Sequence, residues 1–269
     1  MKSLLLFLLF TLFLSGCSLE FKKQLKAVEE ILIANGKNPK LARAISRTID
    51  NKNVYSIGLR NDSLRVIPDA IGRLHNIRYL NLNFNRIEEI SEEIGKCTAL
   101  VMIELVGNRL KRLPESIGNL RNLEILELRA NQLEYLPESI GKLQKLKTLT
   151  LQRNQLKELP ESFGDLQIAE AWLNENQLET LPVSFSNLRV YEVHLYHNKI
   201  KSFPFDALTP KNKLTVYRIG LKDNPLDLNT IPPILREHCS SWKVGAVSVG
   251  RDKDSILWVC NVKLNRTSF

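Results

Sequence analysis

The stretch VYEVHLYHNKI, residues 190–200, holds two of the chain's four histidines, His194 and His197, three residues apart between tyrosines. Imidazoles serve as metal ligands and as general acid–base groups, so the pair raises a question of chemistry. On a helix this spacing would be persuasive for a shared ion. On a strand, three residues span about 10 Å, and both rings approaching one ion within about 2 Å would be awkward. A better donor set crosses a recurring pattern, whose equivalent positions hold Glu175, His197 and Asp223. Two carboxylates and an imidazole on adjacent strands are a candidate metal site, with a polar rim as the alternative.

Other catalytic arrangements are missing from the chain. There is no Ser-His-Asp or Cys-His spacing, no phosphate loop and no HExxH stretch. The residues therefore read as a non-enzymatic protein that needs no cofactor.

The elements that must position these side chains come from an internal repeat. LRNLEILELRANQLEYLPESIGK (120–142) aligns with LQKLKTLTLQRNQLKELPESFGD (143–165) at a period of 23. Eight units can be placed, and their polar seat is filled by Asp62, Asn85, Asn108, Asn131, Asn154, Asn176, Asn198 and Asn224. Within LxLxxN the apolar residues alternate with period two, which predicts a short strand with one buried face. The LPESIG half predicts a turn back, with Pro114, Pro137 and Pro160 fixing φ and Gly118, Gly141 and Gly164 free of side-chain constraint. The convex seat filled by leucine elsewhere is Cys97 in the second unit, read as a small buried hydrophobe.

This frame resembles the short class of the leucine-rich repeat family over residues 54–231. The resemblance implies an α/β solenoid. A curved parallel β-sheet would line its concave face, with turns and short helical segments on the convex side. Each unit depends on its neighbours to bury its leucines, and the asparagines stack into a ladder that satisfies buried backbone groups. Some secreted bacterial members carry a catalytic cysteine domain behind the repeats. The residues left after the repeats are too few for one, which makes Cys239 a poor nucleophile.

In that frame His194 and Tyr196 face outward, onto the concave sheet. The outward columns form two patches. One is apolar with an acidic centre: Tyr79, Met102, Val106 and Ile125 around Glu104 and Glu127. The other gathers Trp172, His194 and Tyr196, flanked by Glu170 and Glu192. Aromatic residues on a rigid sheet are the usual anchors of protein interfaces, so a protein ligand is expected there. The units ending at Leu178 and Ile200 are 22 residues long, which changes local curvature beneath the second patch.

Both ends need covers, because terminal leucines would otherwise face water. Residues 17–53 are expected to form a helical N-terminal cap. Phe21, Leu25, Val28 and Leu32 share one helical face, and a second helix starts at Asn38 and buries Leu41, Ile45 and Ile49. Residues 232–269 are expected to form a C-terminal cap with a β-hairpin. Cys239 and Cys260 both lie in it, either disulfide-bonded or as buried thiols.

Residues 1–16 read as a signal peptide, since the apolar run from Leu4 to Leu14 is shorter than the roughly 20 residues needed to span a bilayer. Leu14-Ser15-Gly16-Cys17 resembles the lipobox of bacterial lipoproteins, which implies lipidation at Cys17. The expected protein is exported and lipid-anchored to a bacterial membrane, at the outer membrane or cell surface. Loss of the leader removes Lys2 alone and lowers the net charge from +9 to +8. Export and scattered basic residues argue against nucleic acid as a partner; anionic lipid heads or acidic glycans fit the charge better. The sequence as a whole predicts a protein-binding, adhesive module working through its concave face. A self-associating homo-oligomeric scaffold is the alternative.

Overall fold

The computed structural model describes residues 19–41, 46–47, 53–202, 215–221 and 223–225. The stretches expected to form a signal peptide (1–16), a lipidation site (Cys17) and a C-terminal cap (232–269, with Cys239 and Cys260) lie outside the described residues. No helix among the described residues is long and apolar enough to cross a membrane.

Helix α1 (Leu19–Ala34) opens the described chain and is followed by a 3₁₀ turn at Pro39–Leu41. The strands are β1 (Ser46–Arg47), β2 (Ser56–Gly58), β3 (Val66–Ile67), β4 (Tyr79–Asn81), β5 (Glu89–Ile90) and β6 (Met102–Glu104). They continue as β7 (Ile125–Glu127), β8 (Thr148–Thr150), β9 (Gln167–Trp172), β10 (Arg189–His194) and β11 (Thr215–Gly220). The described strands form a nine-stranded sheet in the order β1-β2-β4-β6-β7-β8-β9-β10-β11 and a small second sheet, β3-β5. Every neighbour in the large sheet is parallel except the antiparallel pair β1–β2. The solenoid expected from the repeat is the fold observed.

The core is one continuous column. Ile57, Leu80, Ile103, Leu126, Leu149, Ala171 and Val193 are partners in register and all buried. The polar ladder runs alongside. Asn131 donates from Nδ2 to the carbonyls of Leu105 and Leu128, both at 2.9 Å, and its Oδ1 accepts from Leu110 N at 3.1 Å. Asn108, Asn154, Asn176, Asn198 and Asn224 make the same three bonds. A carbonyl-rich interior edge is thereby paired, which buried backbone requires.

On the convex side each LPESIG segment makes a 3₁₀ turn, such as Glu115–Asn119 and Glu138–Lys142. The glutamate reaches the next unit. Glu92 accepts from Glu115 N and Ser116 N, and Glu161 from Val183 N and Ser184 N, so each carboxylate caps the orphan N–H groups of the following turn. Burial tends to raise the Glu92 carboxyl, but those N–H donors hold it below its ordinary value. The glycines serve close approach. A Cβ on Gly141 would sit 2.2 Å from the Ser162 carbonyl oxygen. Cys97 is fully buried, its thiol donates to the Ile71 carbonyl, and burial pushes its pKa up to about 12.

Helix α1 buries Phe21, Leu25, Val28 and Leu32 against the first unit. Buried Gln24 accepts from Val54 N at 2.7 Å. Asn35 accepts from Arg65 N and Val66 N and donates to the Val66 carbonyl, so it meets the first unit's backbone where no earlier repeat exists. Gly36, at φ +66°, ends the helix in a left-handed cap. The second helix does not run as expected. After the short 3₁₀ turn, Ser46–Arg47 pairs antiparallel with Ser56–Ile57 and covers the sheet's first edge. An exposed parallel edge is better satisfied by a hydrogen-bonded strand than by a helix laid across it.

Candidate functional site

The two 22-residue units shape the site. In 23-residue units the residue after the 3₁₀ turn curls: Leu120 has φ −80° and ψ 61°, and Leu123 N bonds back to the Leu120 carbonyl. At Leu166 and Leu188 one residue is missing and the backbone is extended instead, with ψ of 147° and 132°. Strand β9 therefore starts at once and runs six residues, as does β10, where β6, β7 and β8 run three. The longest pairing in the sheet underlies the aromatic patch.

The outward columns stand in the register read from the repeat. Gly58, Asn81, Glu104, Glu127, Thr150, Trp172, His194 and Gly220 are successive partners across the sheet. In the next column, Tyr79, Met102, Ile125, Thr148, Glu170 and Glu192 are likewise aligned.

Trp172 and His194 stack, with ring centroids 3.9 Å apart and planes 19° from parallel. Tyr196 meets His194 edge-on at 5.8 Å. The indole N–H donates to Glu170 at 3.2 Å, and Glu192 lies 3.4 Å from His194 Nε2. The sequence places His194 on the outward face without showing how enclosed it is: its side chain is only 17% exposed. Burial lowers its pKa, against the pull of Glu192 and Glu170. Burial also raises the Tyr196 phenol, with Glu175 adding to the effect.

In the other patch Tyr79, Met102, Val106 and Ile125 are half-buried. Glu104 accepts from Asn81 at 2.7 Å and from Asn83 at 3.3 Å. Asn83 in turn accepts from Val106 N, so this patch is knitted to the sheet. Glu127, next to Glu104 in register, has its pKa raised by burial and then by that neighbouring charge.

The candidate metal column resolves into separate pairs. Glu175 accepts from Arg153 Nε at 2.8 Å, and His197 Nδ1 lies 3.2 Å from Asp223. Among the described residues no three His, Cys, Asp or Glu side chains gather as they would around an ion. Glu175, His197 and Asp223 share a different property: all have positive φ, as do Phe84, Gly107, Ala130 and Arg153 at the equivalent positions. The column marks where each strand turns over. Sequence reasoning misses this, because the residue types there are too varied to carry a signal.

A leucine-rich repeat solenoid is thus defined by sheet, ladder and convex turns together. Comparison with protein families agrees: residues 60–132 match a model described as a leucine-rich repeat region, and residues 145–166 match Leucine Rich Repeat. A leucine-rich repeat protein of Leptospira interrogans is 27% identical, with a TM-score of 0.44, covering 66% of this chain and 57% of its own. The PEPR1–AtPEP1 complex is similar at 24% identity and a TM-score of 0.52, over 74% of this chain and 33% of that one. A plant ice-binding protein is similar at 22% identity and a TM-score of 0.60, over 78% and 73% of the two chains. The chain thus spans little more than half of the Leptospira protein and a third of PEPR1. No curated protein matches the sequence.

Proposed function

We propose that the protein is an exported, membrane-anchored, non-enzymatic module that holds a partner protein against its concave face. Leucine-rich repeat proteins commonly mediate protein binding, and their fold is typically an interaction scaffold rather than a catalyst. The observation that carries the reading is the Trp172–His194–Tyr196 array. It lies across two adjacent strands, in the part of the sheet where pairing is longest. Pre-set aromatic side chains lose little freedom on binding, which favours them as anchors.

The test is capture of partners from envelope extracts by wild-type protein and by the Trp172→Ala/Tyr196→Ala double variant. Specific capture should be lost in the double variant while its melting temperature stays within a few degrees of wild type. Equal capture by both would sink the reading, and concentration-dependent sedimentation without a partner would favour a self-associating scaffold. Anchoring rests on the leader and Cys17 alone. Labelled palmitate should enter the wild type and not Cys17→Ser; label in the variant would remove the lipoprotein claim.

A further inference from the structure

The concave face carries carboxylates alongside arginines such as Arg129. The whole chain is basic, with a net charge of +9, yet the half-buried outward side chains Glu104, Glu127, Glu170 and Glu192 are acidic. Among the described residues Glu127 has no basic partner, and its register neighbours are Glu104 and Thr150. Beyond Thr150 the next partner in register is Trp172, on β9.

Thr150 is short and its hydroxyl accepts from Leu128 N at 3.3 Å, so it floors a slot between a carboxylate and an indole. Adjacent strands lie about 4.8 Å apart, which makes the slot roughly 10 Å from wall to wall before side chains lean in. Just past the end of β8, the Gln152 amide oxygen is buried and has no hydrogen-bond donor. Across from it, Asn174 is 2% exposed and its Oδ1 also lacks a donor. A half-buried carboxylate without a counter-charge, beside an aromatic ring, asks for a cationic group.

We propose that the concave face binds an extended, basic segment of a partner protein, with an arginine or lysine side chain seated over Thr150 between the Glu127 carboxylate and the Trp172 indole. This rests on the protein-binding reading and specifies the partner's chemistry. The cation gains an ion pair with Glu127 and the face of an aromatic ring. The upward shift of Glu127, caused by burial and by Glu104, reports a carboxylate that a cation would stabilise.

The probe is a fluorescent peptide of alternating serine and arginine, with serine–glutamate and serine–glycine peptides of equal length as controls. Fluorescence anisotropy should show binding of the arginine peptide alone. Glu127→Gln, which keeps the side-chain shape, and Trp172→Ala should each weaken it about tenfold or more. Glu158→Gln, an exposed carboxylate elsewhere, should leave it unchanged. Absence of arginine-peptide binding, or binding that all variants share, overturns the inference. If it falls while partner capture still depends on Trp172 and Tyr196, the protein-binding reading stands; if both fail, the reading beneath it fails as well.

Discussion

His194 faces the concave side by register, yet it is packed between an indole, a phenol and two carboxylates. Burial holds its folded-state pKa below the ordinary 6.5, so the unfolded chain takes up a proton first as pH falls. The sign follows: stability is fully present above about 6.5 and declines as pH drops from there toward the folded-state midpoint. Between pH 7.5 and 5.5, roughly the window of histidine titration, the wild type should lose more melting temperature than His194→Asn. An equal or smaller loss would mean that Glu192 and Glu170 outweigh burial. Periodicity makes this residue's side of the sheet legible. Its enclosure is not legible, because that depends on the Trp172 stack across a strand boundary, and a linear pattern records facing rather than contact.

At the scale of the element, the convex turns divide into what the repeat announces and what it conceals. The apolar frame and the asparagine ladder follow from period and residue type, and both are found. The glutamate of LPESIG is different. Its caps on the next unit's N–H groups involve Glu92, Glu115, Glu138 and Glu161, and the signal that could have revealed it is its recurrence immediately after the seat that proline fills in most units. The glycine that follows is recognisable as necessary, but its reason is close approach to the next turn. Gly141→Ala should therefore destabilise by about 1–3 kcal/mol through overpacking against Ser162. Gly58→Ala, with nothing within 4 Å of the added Cβ, should shift stability by under about 0.5 kcal/mol. Chemical denaturation of the two variants checks this; similar losses would contradict the stacking role.

For the molecule as a whole, the repeats make the architecture readable, and the first end of the sheet is where reading weakens. Helix α1 is plain from its apolar face, whereas the β1 strand that closes the sheet is not. Ser46–Arg47 carries no alternation of its own, and its pairing is set by the unsatisfied edge of β2. The ladder adds one further consequence. Each asparagine bonds its own unit and the one before it, as Asn131 does with Leu128 and with Leu105 and Leu110. Through the ladder a unit's interior edge is thus completed by its successor, although its convex turn is capped by its predecessor's glutamate, and Asn35, just past α1, meets the first unit's backbone. As the chain leaves the ribosome, amino end first, finished structure would trail synthesis by one repeat, and each newly emerged asparagine would lock the unit already folded behind it.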